Sequence, residues 1–248
     1  MKKAIKYIFI VVLIVIFSIS IFFICKDLKE DYEQEDIINE IQDISIKDEI
    51  QENKSKENNN NETDIDFTQL KKINTDIVGW LKIDKSNINY PIMQRKSNPN
   101  YYLRRNFYKE YSQWGTPFLA RSCDMEKSDN LIVYGHHIRG NKMFGELENY
   151  RKKSYYEEHK NIKIYTLNDI KEYEIISVFQ TIAYTGFRYY DYINMQDESE
   201  FNAFVSKCKE LAFFDIKDTA KYGDKLLTLS TCDYTSKNSR LVVIAKQK

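Results

Sequence analysis

Two apolar runs near the C-terminus bracket the pair of residues best suited to chemistry. Residues 226–232 read Leu-Leu-Thr-Leu-Ser-Thr-Cys, and after a seven-residue gap residues 240–246 read Arg-Leu-Val-Val-Ile-Ala-Lys. Both runs are rich in apolar and β-branched side chains and so predict strands, with the polar stretch from Asp233 to Ser239 as the loop of a hairpin. Antiparallel pairing then sets Cys232, at the end of one strand, beside Arg240, at the start of the next. A permanently charged guanidinium favours the thiolate of a nearby cysteine and offers a fork of donors to an oxyanion forming on a substrate carbonyl. The plainer alternative is a buried strand cysteine and an unrelated surface arginine.

A third candidate lies upstream in Asn130-Leu-Ile-Val-Tyr-Gly-His-His137. A strand running into Gly135 predicts a backbone free to turn, which leaves the next side chain, His136, at a rim. His137 is either a ligand or a bystander, and His159, in the charged run Glu157–Lys160, reads as a surface residue. With three histidines in the chain and none spaced with cysteines as a ligand set, the sequence predicts no zinc site. The four cysteines, at 25, 123, 208 and 232, are too scattered for a disulfide scaffold. A free thiol in an exported protein has catalysis as one of its few good reasons.

The elements that must hold these residues are mostly short strands. Trp80–Ile83, Ile88–Met93, Phe118–Ala120, Leu131–Tyr134, Ile162–Leu167 and Ile170–Thr181 join the two C-terminal runs to make about eight, the pattern of a closed or nearly closed barrel. Pro91 points to an edge or a bulge in the second of them. Phe67–Ile73 predicts a short helix. A second helix is marked by Phe201, Phe204, Val205, Cys208 and Leu211 at helical spacing behind an Asp197/Glu200 capping box, which makes Cys208 a core residue. Cys123 has no assigned role.

Ahead of this domain, Lys2, Lys3 and Lys6 precede an uncharged run from Tyr7 to Cys25, close to the ~20 residues that a membrane-spanning helix needs. Acidic residues follow it, so the positive-inside rule places the N-terminus in the cytoplasm and the remainder outside. The expected organisation is an anchor over 1–26, an acidic, Asn-rich spacer over 27–64 with a short helix around Ile37–Ile44, and one catalytic domain over 65–248. Lys plus Arg equals Asp plus Glu at 37 each, which argues against a nucleic-acid footprint.

The Thr-Leu-Ser-Thr-Cys232 strand end, the Cys-to-Arg240 spacing and the Tyr-Gly-His136 loop together resemble the sortases, membrane-anchored cysteine transpeptidases of Gram-positive bacteria. Asn74–Trp80, Ile88–Pro91, Asn100–Leu103, Tyr134–Ile138 with Met143-Phe144, and Arg240–Val243 extend the likeness to class B, as does the helix at 199–213. The resemblance implies a mainly β fold: an eight-stranded sortase barrel with an N-terminal helix and an extra helix before the catalytic strand, behind a single transmembrane helix. It further implies Cys232 as nucleophile, His136 as acid/base and Arg240 as oxyanion partner, with Asp233 a candidate for orienting the site. The implied partners are a sorting-signal peptide of exported proteins, a peptidoglycan precursor amine and the membrane, and no cofactor is implied. Two other readings use the same residues: a peptidase that hydrolyses the acyl-enzyme, and a non-catalytic wall-binding barrel in which Cys232 is structural.

Overall fold

The structure, a computed structural model, describes residues 2–46, 65–233 and 238–248. The chain divides into two compact units, Met1–Asp43 and Ile44–Lys248. The first is made by helix α1 (Lys2–Ser45), which carries an 18-residue window of mean hydropathy 3.3 with none of it buried. A helix that is apolar all round and uncovered matches the composition of a membrane span. It does not stop at residue 26. Residues 27–45 contain neither Gly nor Pro, either of which would break a helix, so the predicted short helix around Ile37–Ile44 is continuous with the apolar one. The Asn-rich stretch Lys54–Glu62 lies outside the described residues.

The second unit opens with α2 (Phe67–Ile73), capped by the Asp66 carboxylate, which accepts from the amides of Thr68 and Gln69. Among the described residues ten strands follow: β1 (Ile77–Ile83), β2 (Asn89–Met93), β3 (Phe118–Leu119), β4 (Asn130–Tyr134), β5 (His137–Ile138), β6 (Lys142–Met143), β7 (Asn161–Tyr165), β8 (Ile170–Ile182), β9 (Leu226–Asp233) and β10 (Ser239–Gln247). Eight of them close into a barrel in the order β1-β2-β3-β4-β9-β10-β8-β7, while β5 and β6 form a separate small hairpin. The barrel's strands are the eight that the apolar runs predict.

Strands β9 and β10 are buried along nearly their whole length. A strand that is covered on both faces loses the in-out alternation and reads as a continuous apolar run, which is why their sequences look as they do. Each Leu- or Phe-sized side chain fully buried here contributes about 2 kcal/mol of transfer free energy. Pro91 sits opposite Trp80 in β2, a strand whose ladder with its other neighbour, β3, has the one pair Met93 and Phe118. The missing amide of a proline is tolerated where one side of the strand lacks a full ladder.

Helix α4 (Glu198–Leu211) packs on β8 through Phe201, Phe204, Val205 and Cys208, all buried. Its N-cap is Asp197, which accepts from the Glu200 amide, whereas the Glu200 carboxylate accepts from Gln196, one residue earlier than a capping box would have it. A 3-10 helix (Phe144–Arg151) and α3 (Lys153–Glu158) fill the chain between the small hairpin and β7.

Candidate active site

Cys232 and Arg240 are direct partners in the β9–β10 ladder. On its other side β9 runs parallel to β4, with Tyr134 opposite Ser230, and the Gly135 amide continues that ladder by donating to the Ser230 carbonyl at 3.1 Å. Continued two residues beyond the end of β4, the same register sets His136 level with Cys232. The adjacent His137 confirms the alignment, because its Nδ1 lies 3.1 Å from the Cys232 carbonyl oxygen. Three strand ends therefore deliver His136, Cys232 and Arg240 to one rim of the barrel, and all three are only partly exposed.

Gly135 is required here for a reason other than backbone freedom. It is absent from the positive-φ residues, but a Cβ at this position would lie 2.5 to 2.8 Å from ring atoms of Phe144. The ring packs against the bare Cα, and the Phe144 amide donates to the His136 carbonyl at 2.8 Å, so the histidine's backbone is pinned from both directions. The His136 ring meets the Leu103 carbonyl through Nε2 at 2.6 Å. Leu103 belongs to a short 3-10 helix (Tyr101–Arg104). Burial pushes the His136 pKa below its ordinary value; the bond to Leu103 opposes the shift and the Arg104 charge adds to it.

The Arg240 guanidinium makes one hydrogen bond among the described residues, from Nη1 to the Ser239 carbonyl at 2.9 Å. Beneath the pair lies Tyr189, whose hydroxyl shares a 2.6 Å hydrogen bond with Ser230. Burial raises the Tyr189 phenol to about 12, against the opposing effects of the Ser230 bond and the Arg240 charge. Nothing in the local sequence around Tyr189 marks it as a neighbour of the Cys/Arg pair. The signal that could have found it is the Ser230 hydroxyl, a buried polar group that needs a partner.

Asp233 follows Cys232 and so projects to the opposite face of β9. Its carboxylate accepts from Arg151 at 2.5 Å and from the Ser239 hydroxyl at 3.3 Å. The orienting bond that His136 makes is to the Leu103 carbonyl. His137 bonds Cys232 at one ring nitrogen and faces Glu148 at 3.4 Å from the other. His159 corrects the expectation of a surface residue: it is buried, stacks on Tyr155 at 3.9 Å, and its two nitrogens face the carbonyls of Tyr155 and Lys85. The charged residues around it in sequence hid a ring that fills a turn. Cys123 and Cys208 are buried, and burial raises both thiols, Cys123 to about 11. Among the described residues no three His, Cys, Asp or Glu side chains gather as a group able to hold a metal ion.

A closed barrel whose rim joins a cysteine, an arginine and a histidine from three adjacent strands describes a class of cysteine transpeptidases. A family model for the sortase domain matches residues 81–248. Sortase B of Staphylococcus aureus is 36% identical over 183 residues, covering 73% of each chain. Among solved structures, sortase B from Bacillus anthracis in complex with AAEK1 superposes with a TM-score of 0.75 at 31% identity, over 89% of this chain and 98% of that one. A Staphylococcus aureus sortase B–substrate complex gives 0.68 at 31% identity, over 73% and 84%. The chain belongs to the sortase family, in its B class.

Proposed function

We propose that this sortase cleaves a C-terminal sorting signal of exported proteins after threonine and transfers the acyl group to an amine of a peptidoglycan precursor, joining the protein to the cell wall. The observation that carries the reading is the Cys232–Arg240 ladder pair with His136 two residues past the end of β4, the strand that runs parallel beside β9. Cys232, as thiolate, attacks the carbonyl carbon of the threonine residue, and the oxyanion that forms is held by Arg240 and a backbone amide. His136 protonates the leaving amine. The thioester is then opened by the incoming amine, whose proton His136 takes. The solved Staphylococcus aureus sortase B–substrate complex, a relative in the same class, supports a substrate bound on this fold.

The proposed setting is a cell membrane crossed once by the apolar part of α1, N-terminus inside, with the domain from residue 65 onward outside. The stretch over 27–64 serves as a spacer, helical as far as Ser45. The test is incubation of the full chain in detergent with a sorting peptide and an amine nucleophile, followed by mass spectrometry. An acyl adduct on Cys232 that is resolved by the amine supports transpeptidation. Resolution only by water would make the protein a peptidase, and no adduct at all would remove Cys232 from the chemistry.

A further inference from the structure

Acid/base work by His136 can be done by either ring nitrogen, and the structure distinguishes them. Nε2 lies 2.6 Å from the Leu103 carbonyl oxygen. A carbonyl oxygen only accepts, so Nε2 keeps its hydrogen in both the neutral and the charged ring while that bond persists. Among the described residues Nδ1 has no hydrogen-bond partner. The proton that comes and goes is then the one on Nδ1.

The Leu103 carbonyl is held in place by a built arrangement rather than by chance contact. The Tyr102 hydroxyl donates to Asp76 at 2.7 Å and accepts from the Asn74 amide at 2.9 Å, and the same amide nitrogen reaches the Phe107 carbonyl at 2.6 Å. Tyr101 is flanked by the guanidinium groups of Arg95 and Arg105 at 4.1 and 4.9 Å from its centroid. The Thr116 amide donates to the Tyr102 carbonyl at 3.0 Å. Next to it Gly115 adopts φ +61, and a Cβ there would lie 2.6 Å from the Tyr102 oxygen, 2.7 Å from the Leu103 oxygen and 3.1 Å from Cδ2 of His136. Glycine takes that backbone angle without strain and, having no Cβ, leaves the imidazole edge and the carbonyl free to meet.

We infer that the Leu103 carbonyl, seated by Gly115, fixes His136 as the Nε2–H tautomer and so makes Nδ1 the nitrogen that moves the proton. Leu103 and Gly115 are positioning residues, and the inference rests on the acid/base role proposed for His136. In acylation the bond from Cys232 sulfur to the carbonyl carbon forms, the scissile C–N bond breaks, and the Nδ1 proton passes to the leaving nitrogen. In transfer the incoming nitrogen bonds to that carbon, the C–S bond breaks, and Nδ1 takes the amine's proton. A neutral carbonyl orients the ring without the negative charge that a carboxylate partner would add beside the thiolate.

The test uses the full chain in detergent micelles, labelled with 15N-histidine, at about pH 8, above the ordinary histidine range. Long-range 1H–15N spectra, with His136 assigned by its loss in His136→Gln, should show a protonated Nε2 and an unprotonated Nδ1. Gly115→Ala should mix the tautomers and lower kcat roughly 10-fold or more while KM changes less than about twofold. A wild-type ring protonated at Nδ1 overturns the inference, and that spectrum decides alone if Gly115→Ala does not fold. A folded Gly115→Ala protein with an unchanged tautomer overturns the role of the glycine, whatever its kcat. Because the spectrum involves no turnover, its failure is distinct from failure of the acid/base reading, which would show as an active His136→Ala enzyme.

Discussion

Arg151 meets Asp233 at 2.5 Å on the face of β9 opposite Cys232, joining the 3-10 helix to the strand one residue beyond the candidate nucleophile. The same guanidinium reaches Gln180 on β8, and Gln180 in turn donates to Ser239 on β10. Four side chains thus tie three strands together behind the Cys232–Arg240 pair. The Asp233 side chain is 3% exposed, so removal of its cation leaves a buried carboxylate. We predict that Arg151→Ala costs about 3 kcal/mol, or roughly 6–12 °C in Tm for a domain of this size. Removing both charges in Arg151→Ala/Asp233→Ala should recover much of that loss. Thermal melts of the two proteins check this, and equal Tm values would mean that the ion pair is not the reason.

Arg240→Lys keeps the charge but not the planar fork. If the arginine steadies an oxyanion, the lysine variant should still lose about 10²-fold in turnover. If it serves only to favour the thiolate, the loss should appear as a shifted pH profile with little change in the maximum. Turnover against pH in wild type, Arg240→Lys and Arg240→Ala separates these. Near-wild-type activity in the alanine variant would take the arginine out of the mechanism.

The two adjacent histidines should behave differently. His136→Ala is expected to lower acyl transfer by about 10²- to 10⁴-fold. His137→Ala should cost far less, because that ring touches the backbone of Cys232 rather than the reacting atoms. Equal losses would place both rings, and not His136 alone, in the chemistry.

Acid should reveal the buried state of His136. Its pKa is held below the ordinary histidine value of 6.5, chiefly by burial. A ring that protonates less readily folded than unfolded contributes stability that is present above pH 6.5 and is lost as pH falls through the folded value. Denaturation midpoints should therefore fall on acidification from neutrality, with a shallower fall in His136→Gln. An identical slope in the two proteins would refute this.

A truncated protein starting at Asp64 should fold and react with peptide, since every barrel strand lies beyond that residue. It gives up the bridge between Ile46 and Ile65 and the bond from the Asp66 amide to the Ser45 carbonyl. Loss of activity with folding intact would assign the preceding segment a role beyond spacing.

The barrel is legible because its strands are apolar and bounded by turn residues; even the two-residue β3 lies within the expected run Phe118–Ala120. The adjacency of Cys232 and Arg240 followed from one hairpin, where local pairing leaves little freedom. What sequence could not convey were contacts made by backbone atoms and by residues remote in the chain. The Leu103 carbonyl has no side-chain signature, and Arg151 is one arginine among many until β8, β9 and β10 are brought beside it. At Gly135 the sequence suggests torsional freedom, whereas its small size is what Phe144 requires.

The β2–β3 ladder has one rung, Met93 opposite Phe118, and the β3–β4 ladder two, where the barrel's other joints have at least four. The segment that departs and returns at this seam carries both Leu103 and Gly115. Amide protons along the seam should exchange with solvent sooner than those of the long β8–β10 joint. Partial opening there would release the His136 ring while the remaining ladders stay closed. Heat should therefore extinguish turnover at a lower temperature than the one that melts the barrel, and coincidence of the two temperatures would show that the seam does not open by itself.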